Sequence, residues 1–151
     1  MFKVSATARS LACASAMALA FVVAAPVLAS AATVNVNVTG ARNDNGVIRC
    51  GLFNSPNGWP KAGQQFKKAE GKISNGKAVC QFTDVEPGTY AVALFHAEQG
   101  ERQVEFGLLG IPKQGVAFSR NHSITFGAPS FEKASFPIGQ APASLDIKLI
   151  Y

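Results

Sequence analysis

Six consecutive apolar residues, running from Tyr90 to Phe95, constrain the fold of this chain more than any other stretch. Because successive side chains of a strand point to opposite faces, a strand here has apolar side chains on both faces. Such a strand is typical of the middle of a sheet that is covered on both sides. The pattern ends at His96, where a polar and acidic segment begins. The run therefore predicts a central strand in a layered β-structure.

Short strand patterns separated by turn residues fill most of the remaining chain, and no segment shows a sustained helical period. The predicted strands are 34–38, 47–53, 70–73, 77–83, 90–95, 123–126, 131–136 and 144–150. Asn75-Gly76 is a hairpin turn of the type that tolerates positive φ. We therefore predict an all-β chain, an antiparallel β-sandwich of immunoglobulin-like or transthyretin-like type with about seven or eight short strands. A small barrel is the alternative fold.

The N-terminal residues 1–31 have the pattern of a signal peptide. Lys3 and Arg9 give a positive start, an apolar run extends from Leu11 to Leu28, and Ala29-Ser30-Ala31 fits the cleavage rule. A retained membrane anchor is the alternative, because the run approaches the length of a spanning helix. The alanine-rich run and its Pro26 break favour removal. We expect a periplasmic or secreted protein whose residues 32–151 form a single β-sandwich domain without a membrane span.

Charge argues against a nucleic-acid ligand. Loss of Lys3 and Arg9 lowers the formal charge from +5 to +3, because 12 of the 14 basic residues remain against 9 acidic ones. Nucleic-acid binders concentrate basic residues on one element, interleaved with aromatic residues. Here the basic residues are scattered, and only the segment from Lys61 to Lys77 is dense. A solvated face explains that segment more simply.

The two cysteines that follow the leader, Cys50 and Cys80, predict a disulfide. An even pair in an exported protein is typical of a disulfide, and each cysteine lies in a strand pattern on its apolar side. Closing a loop of this length should stabilise the fold by roughly 3–4 kcal/mol. The alternative is two buried free thiols.

Two long loops are the candidate binding regions, because long irregular connections in compact domains tend to be functional. The first runs from Asn54 to Lys68 and contains Trp59 between glycine and proline; the second runs from His96 to Phe118. An exposed tryptophan would suit stacking on a sugar ring or binding a peptide. The candidate binding residues are therefore Trp59, His96 and Phe118, with a protein or glycan of the cell envelope as partner. The alternatives are that Trp59 caps the core and that His96 is a hydrogen-bonded structural residue.

Catalysis is not expected. Ser119 and Ser123 lie near His122, but no nucleophile-elbow, zinc, phosphate-loop or dinucleotide motif accompanies them. We therefore predict a noncatalytic binding or accessory module without a cofactor.

The words PGTYAVALFH and LGIPKQGVAFS, followed by GAPSFEKASF and LDIKLIY, resemble the secreted bacterial family filed as domain of unknown function 2141. The resemblance covers nearly the whole chain after the leader. It implies an exported β-sandwich and no particular activity.

The resemblance also implies a second function, calcium binding, because the family pattern has an Asp- and Asn-rich loop after the histidine. Hard cations prefer several oxygen ligands at such spacing. This chain departs from the pattern, since Ala97 stands where the first Asp would be and Arg102 replaces a glycine. Glu98, Glu101 and Glu105 remain as weak candidate ligands, and a solvated acidic loop is the alternative.

Overall fold

The computed structural model describes residues 31–124 and 127–151. The predicted leader therefore lies outside the described residues, except for Ala31, and its removal stays a prediction. No helix in the described part of the chain has the length and hydropathy needed to cross a bilayer.

Eight strands form two sheets in this part of the chain, so the predicted all-β fold and strand number are confirmed. The strands are β1 (Ala32–Thr39), β2 (Val47–Phe53), β3 (Lys67–Lys72), β4 (Lys77–Val85), β5 (Gly88–Ala97), β6 (Val116–Phe118), β7 (Phe136–Ile138) and β8 (Ala143–Lys148). One sheet has the order β4-β1-β8 and the other β3-β2-β5-β6, with β7 pairing to β5. All pairs are antiparallel except β1 with β8, which run parallel.

The core lies between the inner faces of the two sheets. Every second residue of β1 is fully buried there, which follows from the valine and asparagine alternation of that strand. Cys50 of β2 and Cys80 of β4 are bonded across this core, with Cα atoms 6.4 Å apart. The disulfide prediction is thus confirmed, and the bond joins one sheet to the other.

The central strand β5 is buried on its inner face, as its sequence predicts, but only partly on its outer face. Tyr90, Val92 and Leu94 face the core. On the outer face Ala91 is covered, whereas Ala93 and Phe95 keep some exposure. The second apolar face therefore has a covered end and an open end.

The segment predicted as an edge strand over 131–136 is different in the structure. A one-turn helix, α1 (Phe131–Ala134), begins after Ser130, whose hydroxyl accepts a hydrogen bond from the Lys133 N–H. Phe131 and Ala134 then cover Ala91 and Phe53. Local capping by Ser130 competes with the extended conformation at this position. The strand predicted over 123–126 is absent at Ser123 and Ile124, and residues 125–126 lie outside the description.

Candidate functional site

A groove of about 1410 Å³ lies on the outer face of the five-stranded sheet. Its floor includes Gly51 of β2 and Ala93 and Phe95 of β5. Gly51 and Ala93 are adjacent across β2 and β5 at the middle of the floor, beside the Phe53 ring and Gln65. The open half of the outer face of β5 is thus the floor of this groove.

The two loops singled out by the sequence form the walls of the groove. Pro60 to Gly63 and Gln65 line one side, and the other is lined by Arg102, Gln103, Val104, Phe106, Leu109, Gly110, Ile111 and Pro112. Phe106 and Ile111 of the second loop are 63% and 60% exposed and face the groove. The walls are therefore largely apolar. Lys61, Lys68 and Arg102 add positive charge.

Trp59 supports the groove without lining it. Its ring makes edge contacts with the rings of Phe53, Phe118 and Phe131, at centroid distances of 5.1, 5.7 and 6.0 Å. Its Nε1–H donates a hydrogen bond of 2.8 Å to the Pro129 carbonyl. A tryptophan held on three sides by aromatic rings and by its N–H has little freedom to stack on a ligand.

Phe118 is the candidate residue that joins Trp59 to the groove. It is the last residue of β6, pairs with Ala93 of β5, and lines the groove beside that floor residue. The structure thus brings Phe118 and Trp59 together. Strand β6 was not foreseen in the sequence, because three residues between loops carry too short a pattern.

His96 is fully buried and does not itself line the groove, although its hydrogen-bond partner Tyr151 does. Its Nε2 is 2.8 Å from the Asn45 carbonyl oxygen, so this nitrogen must donate. Its Nδ1 is 2.6 Å from the Tyr151 hydroxyl, which in turn accepts a hydrogen bond from the Arg42 N–H. In the neutral ring Nδ1 accepts from Tyr151, so both ring nitrogens are satisfied. The geometry is that of a structural histidine.

Ser119 is also fixed by the fold. Its buried hydroxyl accepts a hydrogen bond from the Val92 N–H and donates one of 2.6 Å to the Ala134 carbonyl. It thus ties β5 to α1, and its hydroxyl proton is already engaged.

The three acidic candidates line one small polar cavity of about 200 Å³ at the end of β5. Arg42 and Lys113 line the same cavity. Arg42 forms an ion pair with Glu98, and Lys113 lies 3.5 Å from Glu105. Each of these two carboxylates therefore already has a cation beside it.

Hydrogen bonds lower the pKa values of two of these carboxyl groups, those of Glu98 and Glu101. The Arg42 side chain holds the pKa of Glu98 below its ordinary value, and the Asn43 amide adds to this effect. The pKa of Glu101 is lowered by hydrogen bonds from its own backbone N–H and from that of Gln99. Within residues 31–124 and 127–151, no group of three or more His, Cys, Asp or Glu side chains is arranged to hold a metal ion.

Two features of the site escape sequence reasoning. Gly51 and Ala93 form the floor because they are small and adjacent across β2 and β5, and only the strand register makes them neighbours. Tyr151 and Arg42 surround His96 although they lie far from it in the chain; the Arg42 guanidinium carbon is 4.8 Å from the centre of the Tyr151 ring. Neither arrangement could be predicted from the sequence without knowing which strands pair and in which register.

Comparison with known proteins adds the family and nothing more specific. Neither the curated proteins nor the solved structures include a match to this chain. The model of one family, described as uncharacterized protein conserved in bacteria (DUF2141), matches residues 36–146. That span runs from β1 to β8 and includes both loops of the groove. The chain therefore belongs to the DUF2141 family of bacterial proteins.

Proposed function

We propose that this chain is an exported, noncatalytic binding module of the bacterial cell envelope whose ligand occupies the groove. One observation carries the proposal: two long loops line a groove over a part of the sheet that is apolar in sequence and left uncovered in the fold. Ligand-binding pockets are typically concave and mostly apolar, with a few polar or charged groups. Function residing in loops on a rigid β-scaffold fits the same interpretation.

The chemistry of the walls favours a ligand with an elongated apolar part. Phe95, Phe106 and Ile111 offer apolar contacts along the groove, and Lys61 and Arg102 offer positive charge. Residues of β2, β3, β5 and β6 all line the groove, so an extended segment of an envelope component fits better than a single sugar ring. Trp59 acts in this proposal as the support of Phe118.

The absence of a catalytic role is supported by the hydrogen bonds of His96 and Ser119. Both side chains are buried and use their polar atoms on partners within the chain. A general base must reach the proton that it removes from a substrate. Neither side chain lines the groove.

We do not extend the proposal to calcium. Glu98, Glu101 and Glu105 do share a cavity, but Arg42 and Lys113 are in it as well. A calcium site needs six to eight oxygen ligands and a surplus of negative charge. Two cations against three carboxylates leave little of that surplus.

The experiment uses the neutral apolar dye N-phenyl-1-naphthylamine with the chain of residues 31–151, which contains every described strand. We expect saturable binding, with excitation transferred from Trp59, the single tryptophan of the sequence. Ala93→Leu fills the floor of the groove and should weaken dye binding about tenfold. Ala141→Leu adds the same group at an exposed position outside the groove and serves as control. Equal affinity of Ala93→Leu and the unsubstituted chain, or no saturation, would refute the proposal.

A further inference from the structure

One short hairpin projects from the groove wall and carries the most exposed large apolar side chains of the described residues. This apolar hairpin, residues 105–113, has Leu108 and Leu109 at its tip, and they are 92% and 96% exposed. Phe106 and Ile111 flank them, and no charged residue lies between Glu105 and Lys113. Contiguous exposed apolar groups of this kind mark interaction surfaces.

The apolar hairpin is internally hydrogen-bonded. The Gly107 N–H donates to the Ile111 carbonyl at 2.8 Å, and the Lys113 N–H donates to the Glu105 carbonyl at 2.9 Å. Phe106 and Pro112 pair between these bonds. Backbone groups paired in this way can leave water at lower cost than the groups of an open loop.

We propose that the apolar hairpin docks on the surface of an anionic lipid bilayer, with Leu108 and Leu109 entering the interface. The tip is convex and offers only a few side chains, whereas a stable protein interface needs about 800 Å² from each partner. A bilayer accepts isolated apolar side chains without a complementary shape.

Charge near the apolar hairpin fits this partner. Arg102 precedes the hairpin, whereas Lys61 and Lys68 belong to the other loop of the groove, and none of the three forms an ion pair within the described residues. At the base of the hairpin Lys113 is paired with Glu105, and Glu101 accepts hydrogen bonds from Gln99 and Gln114. Basic residues beside an inserting segment strengthen binding to anionic headgroups. The net charge of +3 that remains without Lys3 and Arg9 is also positive, which favours an anionic surface.

Leu108 distinguishes docking of this kind from ligand binding in the groove, although the two share other residues of the hairpin. Leu108 does not line the groove, whereas Leu109 does. Substitution of Leu108 thus tests the lipid surface and leaves the groove unchanged. An aspartate at this exposed position meets no packed neighbour, so folding should be preserved.

The test is co-sedimentation of residues 31–151 with sucrose-loaded vesicles, made either of phosphatidylcholine alone or of equal parts phosphatidylcholine and phosphatidylglycerol. We expect binding to the anionic vesicles that declines with added salt, and weaker binding to the neutral ones. Leu108→Asp should lower the partition coefficient on anionic vesicles about tenfold or more. The matched control is Val79→Asp, because Val79 is an exposed apolar residue on β4, 53% exposed and outside the groove.

Three results would overturn the proposal. They are a failure of the unsubstituted chain to sediment with either vesicle, equal sedimentation of Leu108→Asp and the unsubstituted chain, and a loss of binding by Val79→Asp as large as that of Leu108→Asp. A concentration-dependent dimer that Leu108→Asp abolishes, measured by sedimentation equilibrium, would assign the apolar hairpin to a second copy of the chain instead. Dye binding by Leu108→Asp that equals that of the unsubstituted chain would show that the groove remains intact in the variant.

Discussion

At the scale of single residues, the Tyr151 hydroxyl connects three parts of the chain that are distant in sequence. It donates to the buried Nδ1 of His96 and accepts from the Arg42 N–H in the loop between β1 and β2. Burial is the main cause that raises the pKa of Tyr151, so the hydroxyl keeps its proton over the neutral range. His96 can be fully buried at the end of β5 because the Tyr151 hydroxyl gives its Nδ1 a hydrogen-bond partner.

Tyr151→Phe should therefore destabilise the chain by about 1–3 kcal/mol, because it leaves the Nδ1 of His96 and the Arg42 N–H without their partner. The ring, which packs on Gly115, is retained. The measurement is the free energy of unfolding in urea, followed by Trp59 fluorescence. An unchanged midpoint would mean that water or another group replaces the hydroxyl.

The ion pair of Glu98 with Arg42 predicts a pH dependence of stability. The pKa of Glu98 is lowered in the fold from an ordinary value of 4.5. A lowered pKa contributes stability that is fully present above pH 4.5 and is lost as the pH falls through the folded value. Glu98→Gln should remove roughly 1 kcal/mol at pH 7 and flatten the decline of stability below pH 4.5.

The check is a series of urea unfolding curves at pH values from neutral to acid for both chains. Glu132→Gln is the control, because Glu132 lies on the surface of α1 and forms no ion pair within the described residues. Parallel pH profiles for Glu98→Gln and the unsubstituted chain would contradict the assigned role of the ion pair.

At the scale of elements, the strands were foreseen where a sequence period is long and clear. The alternation in β1 and the turn at Asn75-Gly76 are strong local signals, and both are present in the structure, with φ of 53° and 70° at the two turn residues. The two-sided apolar run of β5 was placed correctly in the middle of its sheet. Local patterns therefore determine most of the strand positions.

Elements that depend on distant contacts were not foreseen. The segment from Phe131 has a strand-like composition, but Ser130 caps a helical turn and Phe131 packs against the Trp59 ring. The two loops predicted as binding regions line the groove, yet its floor exists only because the register places Gly51 opposite Ala93. The helical turn and the groove floor thus depend on contacts between residues distant in sequence, which local strand propensity does not specify.

Gly46 illustrates how the loop between β1 and β2 is fitted to the end of β5. Its φ is +68°, and a Cβ atom there would lie 1.9 Å from the Ala97 carbonyl oxygen. Gly46→Ala should therefore destabilise the chain by more than about 2 kcal/mol, through both the positive φ and the overlap with backbone.

Gly63→Ala is a matched control for this substitution. Gly63 has a similar φ of +86° but nothing within 4 Å of its Cβ position. The difference in unfolding free energy between the two variants thus isolates the steric contact with Ala97. Equal losses in both variants would mean that the backbone conformation alone accounts for the effect.

At the scale of the whole molecule, the Cys50–Cys80 bond connects the two sheets through the core. Cys50 lies on β2 of the larger sheet and Cys80 on β4 of the smaller one, 30 residues apart in sequence. Disulfides form and persist in oxidising compartments such as the periplasm. The bond therefore supports the proposal that the chain is exported.

The double variant Cys50→Ala/Cys80→Ala should unfold with a free energy lower by roughly 3–4 kcal/mol, because the unfolded chain gains the freedom of the opened loop. Both positions are buried, so alanine introduces no unpaired polar group. Urea unfolding followed by Trp59 fluorescence measures the loss, and the unsubstituted chain in reductant should reach a similar value. If the oxidised chain and the double variant unfolded at the same urea concentration, the bond would not be what holds the two sheets together. Stability would then come from packing of the inner faces alone.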